Sequence, residues 1–319
     1  MYLKQTVSLA CSVLLLCASF LSVTVSAQTT PATDDRPTEY TRKGADDCLK
    51  CHDEDNPYPV FPIFKTRHAR LADKRTPFAK LQCETCHGPG KEHARRKKKD
   101  DDADAPMLFG PGSPASVAEQ NGICLDCHTG RGRIGWKSSV HETNDVSCVN
   151  CHQVHLARDK VLTRKQQPDV CFRCHTRERA QIHRPSAHPV REGQLTCSDC
   201  HDTHDFFASG ALIKPTLNET CFTCHAEKRG PFVWQHAPAA ENCSHCHAPH
   251  GSVNRALLTK RLPNLCRQCH SQAGHPSLLL DGDSLRNDFS SRFLLAKGCL
   301  NCHSKVHGSN HPSGVKLMR

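Results

Sequence analysis

Ten copies of Cys-x-x-Cys-His constrain this 319-residue chain more than any other feature. They begin at Cys48, Cys83, Cys124, Cys148, Cys171, Cys197, Cys221, Cys243, Cys266 and Cys299. Their second cysteines are Cys51, Cys86, Cys127, Cys151, Cys174, Cys200, Cys224, Cys246, Cys269 and Cys302. Their histidines are His52, His87, His128, His152, His175, His201, His225, His247, His270 and His303. Of the 22 cysteines only Cys11 and Cys17 lie outside this set. The motif is the attachment signature of c-type haem. Two thiols add across the haem vinyl groups, and the histidine reaches the iron as proximal ligand. A single copy also suits a zinc half-site, a redox dithiol or a disulfide pair. Structural zinc, however, needs four protein ligands and no histidine after every second cysteine. Neither zinc nor disulfides account for ten histidines and no spare thiol, so ten covalent c-type haems are expected.

Composition agrees. Only 37% of the residues are hydrophobic and 5% aromatic, with a mean hydropathy of −0.56. Side chains alone would struggle to offset the chain entropy of a domain this long. Large, flat, mostly apolar haems supply the missing core. The same composition excludes a multi-span membrane protein.

Residues 1–27 read as a cleaved signal peptide. Lys4 precedes an apolar run from Val7 to Val25, and Val25-Ser26-Ala27 is a small-residue cleavage site. The alternative is an uncleaved anchor, but Ser8, Ser12, Ser19, Ser22 and Thr24 interrupt the run. Cys11 and Cys17 leave with this segment. The mature chain, 28–319, carries no other apolar run able to span lipid and is expected in the periplasm.

Histidine is the next constraint. Of 23 histidines, thirteen are not in the motifs. Five lie upstream of alternate motifs: His68, His141, His188, His236 and His275. Five lie downstream of those same motifs: His93, His155, His204, His250 and His307. These ten suffice to make every iron bis-histidine, with His183, His245 and His311 left over. His183 is an alternative to His188, and His311 to His307. If the motif is helical, His155 shares a face with His152 and serves a neighbouring haem rather than its own. Spacing does not assign which distal histidine meets which iron. Two axial histidines leave no open coordination position, which suits electron transfer and not catalysis.

The middle of the chain repeats. "VHETNDVSCVNCHQVH", "AHPVREGQLTCSDCHDTH" and "HAPAAENCSHCHAPH" are each followed by a Leu- and Lys-containing linker and a second motif. Motif starts from Cys124 to Cys266 are spaced 24, 23, 26, 24, 22 and 23 residues apart. The fold class expected is a multihaem cytochrome c: mostly irregular, with short α-helices, an elongated haem wire of repeated di-haem units. Ten motifs make five such units or two pentahaem halves. The boundaries are a polar N-terminal tail over 28–45, a first half over 46–180 and a second over 181–319. Short helices are expected at or after the motifs, with helical stretches over Phe64–Leu81 and on the approach to Cys266. No strand alternation is visible. The basic-then-acidic run 95–106 reads as a solvated, self-neutralising loop or, alternatively, a docking patch.

The formal net charge of +10 does not point to nucleic acid. An oxidised bis-histidine haem with two ionised propionates carries about −1, so ten of them offset the excess. Many Lys and Arg side chains are expected beside propionates.

The chain resembles the periplasmic decahaem cytochromes of the MtrA/DmsE type. The likeness covers nearly the whole mature chain. It is densest in "TCFTCHAEKRGPFVWQHAPAAENCSHCHAPHGSV" and "CLNCHSKVHGSNHPSG", and extends to "KGADDCLKCH", "LQCETCHGPGKEH" and "CHQVHLARDKVL". The 95–106 run and the short tail depart from the family pattern. The resemblance implies a subunit associated with the outer membrane, seated in a porin-like β-barrel partner, that carries electrons between periplasm and exterior. Periplasmic and extracellular cytochromes are implied as further partners. Its traffic is implied to be extracellular iron or dimethyl sulfoxide reduction, or Fe(II) oxidation. A soluble periplasmic shuttle between an inner-membrane quinol oxidase and terminal reductases is the alternative. A multihaem nitrite- or hydroxylamine-converting enzyme needs an open iron, which surplus histidines argue against.

Overall fold

The computed structural model describes residues 39–56, 58–95, 106–130, 135–205, 209–270 and 298–319. All of them fall in one compact unit running from Pro37 to Arg319. The signal segment, most of the tail, nearly all of the 95–106 run and His275 lie outside the described residues.

The fold is a succession of single helical turns. The shared element is the motif itself. In all ten copies the histidine N–H donates to the carbonyl of the first cysteine four residues back, at 2.8–3.1 Å. That is one α-helical turn, which sets both cysteines and the histidine on one face. Longer helices lead into three of the odd-numbered motifs, counting from Cys48. Val117–Leu125 enters the third and Leu217–Phe222 the seventh. Both start on a capping residue three before a glutamate: the Ser116 hydroxyl accepts from the Glu119 N–H at 3.2 Å, and Thr216 from Glu219 at 3.1 Å. Gln167–Cys171 enters the fifth motif, with proline in its first turn. Helices thus precede motifs as well as following them; Thr176–Ile182 is one that follows.

Two helical expectations are corrected. The stretch Phe64–Leu81 contains only short 3₁₀ turns, Phe61–Lys65, Arg67–Ala69 and Pro77–Ala79. Thr66 and Arg70 are extended between them, and Pro77 can begin a turn but not continue one. The approach to Cys266 has no α-helix either, only turns and the 3₁₀ segment Cys266–Gln268. Pro263 removes a donor there. The described residues contain no strand, only four isolated antiparallel bridges.

The interior is inverted relative to an ordinary domain. Among the described residues, besides proline, six apolar side chains are buried: Ala45, Phe78, Trp136, Val170, Phe172 and Ile182. Eleven polar ones are buried, among them Glu84, Asn121, Ser139, Asn218, Ser252 and Ser309. These polar groups fasten backbone segments together rather than fill space. The Asn121 carbonyl oxygen accepts from the Cys148 N–H at 2.8 Å, and Asn218 accepts from Cys243 at 2.8 Å. Gln167 accepts from the Ser198 N–H at 3.0 Å, and Gln82 from Ala45 at 2.6 Å. Each bond ties the lead-in to an odd motif to the even motif after it, or the reverse. Glu84, 4% exposed, accepts from Thr41 and from the Gly90 N–H, anchoring the start of the described chain.

Candidate haem sites

The motifs meet in series. The first-cysteine thiols lie close enough in pairs to influence each other's ionisation: Cys48 with Cys83, Cys124 with Cys148, Cys171 with Cys197, Cys221 with Cys243, Cys266 with Cys299. Between pairs, Cys86 lies near Cys124 and Cys127, Cys151 near Cys171 and Cys174, Cys200 near Cys224, and Cys246 near Cys269. Every motif therefore neighbours the next, and the order in space follows the order in sequence. The Cys171/Cys197 pair crosses from the 46–180 segment into 181–319.

The histidines meet by a different rule. Nine proximal rings each face one of the expected distal rings. Ring centroids are 6.3 Å apart for His52 and His93, 6.0 Å for His87 and His155, 6.0 Å for His128 and His68, and 6.0 Å for His152 and His204. They are 6.1 Å apart for His175 and His141, 5.9 Å for His201 and His250, and 6.4 Å for His225 and His188. They are 6.1 Å apart for His247 and His307, and 6.1 Å for His270 and His236. His303 remains among the proximal rings and His275 among the expected distal ones, and His275 lies outside the described residues. Two imidazoles bound at about 2 Å on opposite sides of one metal have centroids roughly 6 Å apart. The gaps fit an iron and a porphyrin plane.

The pairing has a simple grammar. From the second motif to the eighth, an even motif takes the histidine downstream of the even motif two places on. From the third to the ninth, an odd motif takes the histidine upstream of the even motif before it. The first motif has no predecessor and takes His93, which no earlier even motif exists to claim. Each unit thus reaches across its neighbour, and the end is capped by the leftover ring. His183, His245 and His311 stay out: His183 and His245 bond the Arg179 and Pro238 carbonyls, and His311 bonds Ser313.

Hydrogen bonds fix the ring that each side presents. Nδ1 of His87, His201, His247 and His303 meets the carbonyl of Met107, Gly210, Ala256 and Lys316, at 2.7–2.8 Å. Nδ1 of distal His188 and His236 meets the Pro249 and Val306 carbonyls at 2.8 Å, and His141 that of Thr203 at 3.4 Å. A carbonyl only accepts, so Nδ1 carries the proton and the Nε2 lone pair is left for a metal. Burial also holds His68, His87, His155, His250 and His307 below the ordinary histidine pKa, in the neutral form that ligates.

The carbonyl acceptors reveal how the units lock. Pro249 and Val306 immediately precede distal His250 and His307, and Thr203 precedes His204. An upstream distal histidine is thus held by the segment carrying a downstream one. Backbone bridges reinforce two of these contacts, Ser186 with Ser252 and Trp234 with Ser309. The approach is so close that Gly251 (φ +148°) and Gly308 (φ +133°) have no room for a Cβ: it would strike the Gln181 carbonyl or the Phe232 ring. In the remaining unit Asp205 follows the distal histidine, and the space comes from the opposing Gly135.

Among the described residues, Trp136 Nε1 and Arg267 Nε are buried without a hydrogen-bond partner. Both are donors in an interior short of apolar side chains, as propionate-binding groups would be. Rival chemistries fare worse. None of the twenty described cysteines is paired in a disulfide. No cluster of three or more metal-ligating side chains forms among the described residues.

Comparison with known proteins bears on the same residues. The chain is 46% identical over 283 residues to the multihaem cytochrome MtrA of Shewanella baltica (strain OS185), covering 88% of this chain and 83% of that protein. The chain belongs to the MtrA family of multihaem c-type cytochromes. Residues 83–167 match the cytochrome c-type protein NrfB-like family, and 188–230 and 236–275 match the doubled CXXCH motif family. Over 144 residues it is 31% identical to the cytochrome c-type protein NrfB of Haemophilus influenzae, 40% of this chain and 63% of that one. This multihaem cytochrome binds haem c through its Cys-x-x-Cys-His motifs and transfers electrons. Sequence reasoning missed the clips formed by Asn121, Asn218, Gln167 and Gln82. An Asn three residues before Cys124 and before Cys221 was the available sign.

Proposed function

We propose that the protein conducts electrons through ten bis-histidine c-type haems across the outer membrane, inside a β-barrel partner, to or from extracellular iron. The observation that supports this most is the unbroken series of nine facing histidine pairs. In this reading the twenty motif cysteines hold the macrocycles. The ten motif histidines and His68, His93, His141, His155, His188, His204, His236, His250, His275 and His307 hold the irons. Haem iron supplies a one-electron couple. The chain supplies neutral Nε2 ligands on both faces, which keeps substrates and water off the metal.

The membrane part rests on physical need. A bilayer with its headgroups is about 40–45 Å thick, and a long series of carriers is one way across it. No helix of the described residues is long and apolar enough to cross a membrane. This irregular, polar backbone would leave its hydrogen-bonding groups unmet in lipid, so a closed barrel is the sheath it needs.

Two measurements test the proposal. Haem quantitation against chain mass should give ten per chain, all low-spin when oxidised. Fractionated cells should keep the haem-stained band with the outer membrane, and detergent should release it together with a barrel protein. A band that washes out with the periplasm would make it a soluble shuttle.

A further inference from the structure

The even-numbered motifs provide an internal comparison. Four of their five proximal histidines give Nδ1–H to a backbone carbonyl. The fifth, His152, meets the Asp159 carboxylate instead, at 2.7 Å. In the two following units the carbonyl used lies nine residues after the histidine, Gly210 for His201 and Ala256 for His247. The residue in that place after His152 is Val161. Its carbonyl accepts from Gln167 Nε2 at 3.0 Å, and its N–H donates to Asp159 at 3.3 Å. The carboxylate has taken over the carbonyl's role. The corresponding position in the later unit, eight residues after the second cysteine, holds Asn254, whose amide bonds the Leu258 carbonyl.

Asp159 is well placed to act on the ring. Its side chain is 14% exposed, and its other oxygen is held by the Gln153 and Val161 N–H groups. Among the described residues no lysine or arginine pairs with it. A carboxylate accepting from Nδ1–H draws the proton off the ring and raises the basicity of Nε2. A more basic ligand and a nearby anion both favour ferric iron over ferrous. Low local dielectric strengthens both effects.

We propose that Asp159 is a potential-setting residue: it lowers the reduction potential of the haem attached at Cys148 and Cys151 relative to those of the other even motifs. The inference rests on His152 being an iron ligand, as in the proposed function. It places one reluctant electron carrier in the interior of the series.

The test uses the full-length holoprotein. Asp159→Asn removes the charge but keeps an oxygen for the backbone bonds. In a potentiometric titration, one component should move upward while the rest superimpose on the wild type. The expected change is about tenfold in that component's reduced-to-oxidised ratio at fixed potential, about 59 mV for one electron. Unmoved curves at full haem content would overturn the role of Asp159 and leave the ligation intact. A different result defeats the ligation itself: a Cys148/Cys151 peptide without haem, or a high-spin component in the wild type. Should the variant fail to mature, the wild type still decides. Its near-infrared charge-transfer band should include a component at higher energy, amounting to one haem, from an imidazolate-like ligand. A band without that component would refute the proposal.

Discussion

His155 stands opposite His87, their ring centroids 6.0 Å apart, and not over the iron of His152 three residues before it. The helix of the motif ends at Cys151 and His152 is extended, so the chain turns away before His155 and carries its ring to a different histidine. In the proposed ligation it serves the haem two motifs back. His155→Met should therefore raise the potential of the haem held at Cys83 and Cys86, since methionine ligation raises haem potentials. The haem at Cys148 and Cys151 should not move. Site-resolved titration by paramagnetic NMR checks this, and a shift at the latter haem alone would sink the pairing.

Gly251 tests the lock between units. It holds φ at +148°, and a Cβ there would collide with the Gln181 carbonyl. Gly251→Ala should destabilise by about 1–3 kcal/mol, and the damage should fall on the haems of His188 and His250. High-spin signal confined to two haems is the expected spectrum. Unaltered stability would show that the close approach is not native.

Asn218 tests the lock within a unit. Buried, its carbonyl oxygen accepts from the Cys243 N–H and its amide donates to the Ala239 and Ala240 carbonyls. Asn218→Ala orphans all three and should cost about 1–3 kcal/mol or more. Asn218→Asp should recover the bond to Cys243 alone. Denaturant midpoints of the two variants, ranked Ala below Asp below wild type, are the measurement.

Acid should loosen the molecule before carboxylates titrate. Burial lowers the pKa of His68, His87, His155, His250 and His307 from the ordinary 6.5. Below that value the unfolded chain binds more protons than the folded one, so stability falls as pH falls. Iron ligation acts in the same direction, because acid competes for the same lone pair. Guanidinium midpoints should drop between about pH 7.5 and about pH 5.5. A flat profile across that window would contradict neutral, buried imidazoles.

The sequence by itself determined where each haem attaches. Cys-x-x-Cys-His closes its own turn through one bond from the histidine N–H to the first cysteine carbonyl, and such local geometry is legible residue by residue. It also marked the candidate distal ligands, because ten histidines flank alternate motifs. Which ring faces which did not follow, since His204 and His152, or His307 and His247, are brought together only by units reaching across one another. Pro77 and Pro263, which interrupt the helices expected around them, were local signals already present in the sequence. Tertiary structure decided the longer-range contacts. It decided that Asn121 and Asn218 act as clips, and that Asp159 rather than a carbonyl holds His152. In each case the partner lies in a different turn of the chain. Sequence fixes that such a group is present, and only the folded backbone fixes what it meets.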